Sequence, residues 1–236
     1  MAVRKDGVAS SKKIFKAASE VFAEKGYRTA TVAEICKRAK SNVAAINYYF
    51  KSKDGLYAAV WKNAFEQAMQ VYPADGGLPP GASAEERLHA LVHSFLHRIL
   101  DSGRLGCSGQ ILLREIAEPT DVLDQILDDA FRPLQKRTQQ IISELLGPKA
   151  SDRELRFCEL SVVHQCVAIG FGKSRNKLPP FLRNEQLTHE FIDEMAEHIT
   201  FFSLAGIRAV RKQAEVKPKT SPKTRGRKSQ EQEHNE

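Results

Sequence analysis

The sequence predicts an all-α protein, with a small N-terminal three-helix unit followed by a larger helical domain. Apolar residues recur three or four positions apart along most of the 236 residues, which is the period of an amphipathic helix. Three segments begin with Ser or Thr followed three residues later by Glu, a helix-capping signal, at Thr31, Ser83 and Ser151. No stretch alternates apolar and polar residues for long enough to form a sheet.

The first 70 residues predict four helices. Ser11 begins the first, which ends at Gly26 because glycine readily takes the left-handed conformation that closes a helix. The second is short and begins after Thr31. The third covers residues 42–50, and Ser52 begins a longer fourth helix.

A stretch rich in proline and glycine, residues 73–82, separates this unit from the rest of the chain. Further helices are predicted from Ser83 onward and at about 108–118, 120–146, 151–172 and 185–212. We therefore divide the chain into a domain at 1–70, a domain at 71–212 and a tail at 213–236. The tail lacks apolar periodicity, so we expect it to be disordered.

The net charge of +7 is unevenly distributed. Residues 1–70 hold 13 basic and 6 acidic residues, and residues 208–228 hold 9 and 1. Residues 71–207 hold 14 basic and 19 acidic residues. A basic module on an acidic body is expected when one end of a protein contacts a polyanion, either a nucleic acid or an anionic membrane.

Residues 31–50 favour DNA over a membrane, because they predict a helix, a tight turn and a second helix. In that second helix Val43, Ile46 and Phe50 form an apolar seam, and the outer face is short and polar. Such a helix can enter the major groove of DNA. The side chains expected to contact DNA are Thr31, Asn42, Val43, Ala44, Asn47, Tyr48, Tyr49 and Lys53.

These side chains are expected to differ in role. Asn42, Val43 and Asn47 should set the sequence preference, whereas Thr31, Tyr49 and Lys53 should contact phosphates and set general affinity. Of the two adjacent tyrosines, Tyr48 is expected to pack inward and Tyr49 to face a phosphate.

The same residues resemble the TetR family of transcriptional regulators, through TVAEI at 31–35 and NYYFKSKDGLY at 47–57. A weaker resemblance over residues 114–148 indicates the CecR (CerR-like) branch. The family implies a homodimer, a palindromic operator in double-stranded DNA and a small-molecule pocket in the C-terminal domain. Where the family usually has glycine at the turn, this chain has Lys40, at a cost of roughly 1 kcal/mol if its φ is positive.

Three polar residues of the C-terminal domain, Arg114, His164 and Gln165, stand among apolar residues and are candidates for contacting an effector. An internal ion pair for Arg114, and hydrogen bonds across a dimer for the other two, are the alternatives. We expect the homodimer to form through the helices near 151–172 and 185–212. On the latter, one face is apolar at Leu187, Phe191, Met195, Ile199 and Phe202.

His89, His93 and His97 follow one another at four-residue spacing, which suggests a metal site. However, His89 and His97 would lie about 12 Å apart along a helix axis, too far for one ion. No carboxylate or cysteine nearby completes a ligand set. We therefore expect partly exposed histidines and no metal site.

The sequence shows no nucleophile, phosphate-cradling loop or paired carboxylate, so we expect neither an enzyme nor a cofactor. It also shows no secretory signal or membrane span, which indicates a cytoplasmic protein. The expected function is a ligand-responsive transcriptional regulator, a repressor released from its operator by a small apolar effector. The alternative is an architectural DNA-binding protein that uses the helix-turn-helix and the basic tail without a ligand.

Overall fold

The computed structural model describes residues 5–174 and 186–216, and over these ranges the chain is helical and has no strand. The all-α prediction is confirmed. The α-helices are α1 (Lys5–Thr29), α2 (Val32–Ala39), α3 (Val43–Phe50), α4 (Lys53–Val71), α5 (Ala84–Leu100), α6 (Ser102–Leu105), α7 (Cys107–Ala117), α8 (Asp124–Leu146), α9 (Asp152–Ser174) and α10 (His189–Val216). None of these helices is both long and apolar enough to cross a membrane.

The ends of α1 and α10 can be compared with the prediction. Gly26 has φ 74° and ψ 173°, so regular helical geometry breaks at the predicted residue, and a short helical segment after this kink continues α1 to Thr29. α10 runs four residues past the predicted end at 212, and Ala214 is buried. Residues 213–216, assigned to the tail by the prediction, thus belong to α10, and residues 217–236 lie outside the described residues.

The connection between α7 and α8 also differs from the prediction. The segment expected as one helix from residue 120 begins with a 3₁₀ turn, Asp121–Leu123, and α8 follows. The four-residue helix α6 was not predicted, because one turn is too short to show a period.

The buried side chains form two apolar cores. The first lies among α1–α4, around Phe22, Ile46 and Trp61, but it also includes Ile111 and Leu112 of α7. The second lies among α5, α8, α9 and α10 and includes the next residue of α7, Leu113. The domain boundary predicted at residue 70 therefore does not separate the two cores, because α7 lies beyond it and packs into both.

Candidate nucleic-acid interface

α2 is fixed at its start by Thr31. Its hydroxyl accepts a hydrogen bond from the Glu34 backbone N–H over 3.2 Å, which is half of the predicted capping box. The Glu34 carboxylate instead accepts from Lys25 at 2.7 Å and Arg38 at 3.0 Å. The exposed Thr31 side chain is therefore a structural cap at the same position where phosphate contact was predicted.

The turn between α2 and α3 centres on Lys40, which has φ 50° and ψ 49°. This is the left-handed region in which a side chain is strained by roughly 1 kcal/mol. The following residue, Ser41, donates its N–H to the Cys36 carbonyl over 2.9 Å and closes the turn. Lys40 thus adopts the conformation for which glycine would be the ordinary residue.

α3 is held by a cap at its start and by a buried residue at its middle. Asn42 caps it, since its side-chain oxygen accepts from the Ala45 N–H over 2.9 Å, and Ile46 is fully buried in the first core. Val43 was predicted to belong to the inner seam, but 51% of its surface is exposed, so that prediction is wrong. Its exposure is compatible with the other prediction, a contact with DNA.

The outer face of α3 carries most of the predicted DNA-contacting residues. Asn42, Ala44 and Asn47 are exposed, as is Tyr48, at 76%. Tyr49, by contrast, is half-buried against the first core. The predicted orientations of the two tyrosines are therefore reversed: Tyr48 faces outward and Tyr49 packs.

The junction between α3 and α4 is tight. Ser52 caps α4 by accepting from the Gly55 N–H over 3.1 Å. A Cβ added at Gly55 would lie 2.1 Å from the carbonyl oxygen of Phe50, the last residue of α3. Glycine at this position lets α4 approach the end of α3 and so sets the angle at which α3 is presented.

Lys53 lies at the start of α4 with its ammonium 4.3 Å from the centre of the Tyr27 ring, a cation–π contact. The Tyr27 hydroxyl donates to Asp54 over 2.5 Å. Burial and this bond raise the pKa of Tyr27 to about 12. The Lys53 side chain is thus oriented by neighbours of α1 and α4 at the edge of the α3 surface.

A basic cleft that was not predicted from the sequence lies beside the turn between α2 and α3. Lys13 and Lys16 of α1 line it together with Arg38 and Lys40. Arg38 is paired with Glu24 by two hydrogen bonds of 2.6 and 2.7 Å, so the lysines are the better phosphate donors. The three-residue spacing of Lys13 and Lys16 on one helix face was the available signal.

The three candidate effector residues have different surroundings. The Arg114 guanidinium donates to the carbonyls of Ala23 and Glu24, at 2.7 and 2.5 Å, so it joins α7 to α1. His164 is exposed and bonds the Leu160 carbonyl of its own helix at 3.0 Å. Arg114 is thus bonded to α1 within the chain, and His164 lies at the surface.

Gln165 does line a groove of about 570 Å³ between α9 and α10. Its amide donates to the Ser161 carbonyl and to the Ser203 hydroxyl, at 2.9 and 3.3 Å. Phe157 and Phe202 line the same groove and are exposed. Of the predicted effector residues, Gln165 alone lines this groove.

The predicted dimer face of α10 is mostly used within the chain. Leu187, Met195 and Ile199 pack on the second core, so they do not form an exposed apolar surface. Among the side chains that the structure describes on these two helices, the exposed large apolar ones are Phe157, Leu160, Phe201, Phe202 and, at the end of α10, Val216.

The histidines of α5 also differ from the prediction. His97 is 2% exposed, and its Nε2 lies 2.7 Å from Asp193 of α10. His93 contacts the same carboxylate oxygen at 2.9 Å. The premise that no carboxylate completes the set is thus wrong, because the partner lies 96 residues further along the chain.

Two family models match this sequence. The model of bacterial regulatory proteins of the tetR family matches residues 14–60. The model of the C-terminal domain of the HTH-type transcriptional dual regulator CecR matches residues 84–207, slightly more than half of the chain. The two matches cover the predicted helix-turn-helix and most of the second domain.

The chain is also similar to individual regulators. It is 25% identical over 178 residues to the HTH-type transcriptional dual regulator CecR of Shigella flexneri, covering 71% of this chain and 78% of that protein. It is 34% identical over 89 residues to the probable regulator YttP of Bacillus subtilis, covering 38% of this chain and 43% of YttP.

Solved structures share its fold at low sequence identity. A TetR-like regulator from Rhodococcus sp. RHA1 superposes with a TM-score of 0.61 at 18% identity, covering 84% of this chain and 96% of that one. The regulator FadR from Bacillus subtilis, solved with stearoyl-CoA, gives 0.60 at 18% identity, covering 83% and 98%.

Proposed function

This chain belongs to the TetR family of transcriptional regulators, which are not enzymes, and we propose that it is a homodimeric repressor of a palindromic operator. A small apolar effector releases it from DNA. The observation that carries the DNA-binding role is the exposed outer face of α3, held in place by the buried Ile46 and the Asn42 cap.

Contacts with bases fall to the exposed side chains of α3. The Asn47 amide can both donate and accept, which suits the paired donor and acceptor on the edge of adenine. Around this helix, Lys13, Lys16, Lys40 and Lys53 supply cations for phosphates. A basic rim around a short polar face is the arrangement that separates general affinity from sequence choice.

The exposed aromatic surface of α9 and α10 supports the proposed dimer. A single α3 reads only a few base pairs, so specificity requires two copies about 34–36 Å apart, or a multiple of that distance. Phe157 and Phe202 also line the groove beside Gln165, so the groove opens toward the proposed partner. An apolar effector bound there changes how the two subunits meet and therefore the spacing of the two α3 helices.

Besides the dimer interface, the contacts of α7 provide a second route from an effector to the DNA-binding unit. Arg114 donates to the carbonyls of Ala23 and Glu24, close to the α1 kink, and Glu115 accepts from Tyr57 of α4. An effector that prefers a different placement of α7 therefore also moves the helices that hold α3. The effector must bind one conformer more tightly than the other, because a ligand that binds both equally does not change the equilibrium between them.

A nuclease footprint of the purified protein on the DNA upstream of its own gene tests the proposal. We expect protection of two inverted half-sites, lost in Asn47→Ala and retained in Gln140→Ala, an exposed residue of α8. Binding of random DNA with equal affinity would instead favour the architectural alternative. A screen of aromatic acids, antibiotics and fatty acyl compounds for release of the footprint tests the effector role.

A further inference from the structure

A cluster of histidine and aspartate side chains lies where α5 meets α10. His93 and His97 are one turn apart on α5, and their Nε2 atoms lie 2.9 and 2.7 Å from the same oxygen, Asp193 Oδ1. One potential ligand atom from each of the three residues lies within 4.8 Å of the other two. The four-residue spacing along α5 explains why both imidazoles reach the same carboxylate.

Two imidazoles and one carboxylate form a ligand set that suits divalent first-row transition metals. Around a tetrahedral ion with bonds of about 2.0–2.2 Å, ligand atoms lie about 3.3 Å apart. The two nitrogen–oxygen separations, 2.9 and 2.7 Å, are shorter than this and need to open by about half an ångström to admit the ion. Three protein ligands leave a coordination position for water.

His97 is the most buried of the three ligands, with 2% of its side chain exposed. Its Nε2 is the atom that faces Asp193, so the burial of the ring fixes that ligand atom in place. The other ring nitrogen, Nδ1, has no hydrogen-bond partner among the residues that the structure describes, and an ion on Nε2 would leave it as the protonated nitrogen. The site therefore depends on the geometry of the Nε2 and Oδ1 atoms.

A second trio shares His97. Together with Asp101 and His189 it also places three ligand atoms within 4.8 Å of one another. However, Asp101 already accepts hydrogen bonds from the Tyr72 hydroxyl and from two backbone N–H groups of α6. Because that carboxylate is occupied as a cap, the trio with Asp193 is the better ligand set.

We infer that His93, His97 and Asp193 bind a divalent transition-metal ion of the Zn²⁺ type. Neither the proposed operator binding nor the apolar effector requires this site. It joins α5 to α10, which the ion would hold at a fixed separation.

The site also touches the end of α4. Tyr72 ends that helix, and its ring stacks on His97 with the centroids 4.9 Å apart. Its backbone carbonyl accepts from Arg98 over 2.9 Å. α4 begins at Lys53, shortly after α3 ends, and supports α3. An ion that shifts His97 therefore also acts, through Tyr72, on the helix that supports α3. This regulatory consequence, unlike the metal site itself, rests on the proposed function.

Metal titration of the untagged full-length protein, stripped with a chelator, tests the site. Bound Co²⁺ reports its ligands through visible absorption, and Zn²⁺ affinity follows from competition with Co²⁺. We expect one ion per chain, and we expect His93→Ala and Asp193→Asn each to weaken Zn²⁺ binding at least about tenfold. Both side chains are partly exposed, at 34% and 50%, so these variants should fold.

Matched controls are His198→Ala and Glu194→Gln, which change exposed residues of α10 and should leave the Zn²⁺ affinity unchanged. The site is refuted if the wild type binds no ion at micromolar concentration. It is equally refuted if His93→Ala and Asp193→Asn bind as tightly as the controls.

A DNA-binding measurement with and without Zn²⁺ tests the regulatory consequence. We expect the ion to change the operator affinity of the wild type and not that of Asp193→Asn. Equal affinities with and without Zn²⁺ in the wild type would refute the coupling through Tyr72. A chain that binds Zn²⁺ through Asp193 but protects no operator would refute the proposed function and leave the metal site standing.

Discussion

The Tyr57 hydroxyl donates a hydrogen bond of 2.6 Å to the buried Glu115 carboxylate, and this bond joins α4 to α7. The other carboxylate oxygen accepts from the backbone and side chain of Thr120, at 2.7 and 2.9 Å. A buried carboxylate is thereby satisfied at the point where the two cores meet. The connection between the DNA-binding unit and the rest of the chain thus depends on a polar contact whose loss would leave a buried carboxylate oxygen without a hydrogen-bond donor.

We predict that Tyr57→Phe lowers the free energy of unfolding by about 1–3 kcal/mol, because it leaves one oxygen of a buried carboxylate without a donor. Urea unfolding measures this change. The cost should be smaller in a Glu115→Gln background, where the acceptor is no longer charged. Tyr48→Phe, which changes an exposed tyrosine, is the control. Identical costs in both backgrounds would contradict the importance of the pair.

The same contact has a pH signature. Burial and the bond to Glu115 raise the pKa of Tyr57 above the ordinary value of about 10. The folded state therefore holds the phenol proton more tightly than the unfolded chain does. This contribution to stability is complete below pH 10 and is lost as the pH rises from there toward the folded pKa. Above about pH 10 the wild type should lose stability more steeply than Tyr57→Phe.

A second prediction concerns the left-handed turn residue. Lys40→Gly should raise the free energy of unfolding by up to about 1 kcal/mol, because glycine removes the strain at φ 50°. The same change removes a cation from the cleft that Lys13 and Lys16 also line. We therefore expect a more stable protein that binds every DNA sequence more weakly. A gain in both stability and affinity would show that Lys40 does not contact phosphate.

A third prediction separates general affinity from sequence choice. Lys53→Ala should weaken binding to operator and random DNA by the same factor, and lower the salt slope by about one ion. Asn47→Ala should cost about 1–3 kcal/mol on the operator alone if the amide pairs with a base. Lys149→Ala, an exposed lysine outside the DNA-binding unit, is the control. Parallel losses for both variants on operator and random DNA would contradict these roles.

A fourth prediction tests the dimer surface. Leu160→Asp and Phe201→Asp place a charge on the exposed apolar faces of α9 and α10, where 54% and 74% of the two side chains are accessible. Burying an unpaired carboxylate in an interface is costly, so both variants should sediment as monomers at micromolar concentration. Val71→Asp, at the end of α4, should leave the dimer intact. A dimer that survives both changes must form elsewhere.

Local signals in the sequence predicted most helices and their caps. The capping box at Ser83 is present in full, and Ser151 and Glu154 form the same reciprocal pair. These signals work because a cap involves residues only three positions apart. The orientation of Tyr48 and Tyr49 could not be predicted in the same way. In an eight-residue helix, the apolar period does not decide which of two adjacent aromatic rings faces the core.

The spacing of residues in the sequence could not predict contacts between distant segments. The spacing of His93 and His97 was visible in the sequence, but their partner Asp193 belongs to another helix. Arg114 was predicted to contact an effector or, alternatively, to form an internal ion pair. Its partners are backbone carbonyls of α1, which carry no signal in the side-chain pattern.

The last prediction concerns residues 217–236, which follow α10. They contain six cations in twelve residues, at Lys217, Lys219, Lys223, Arg225, Arg227 and Lys228. A tethered cluster of cations raises its own concentration near DNA bound by the folded domain, and each neutralised phosphate adds about 0.9 to the salt slope. Truncation after Val216, which preserves the buried Ala214, should therefore weaken DNA binding and flatten its salt dependence, while dimerisation and operator choice stay the same.

A full-length variant with all six cations replaced by Gln separates charge from chain length. If the tail acts through electrostatic attraction, this variant should match the truncated protein in both affinity and salt slope. If the tail acts through its length, the Gln variant should instead match the wild type. A salt slope that neither change alters would mean that the tail does not contact DNA, and the basic residues of the folded domain would then account for all of the phosphate contacts.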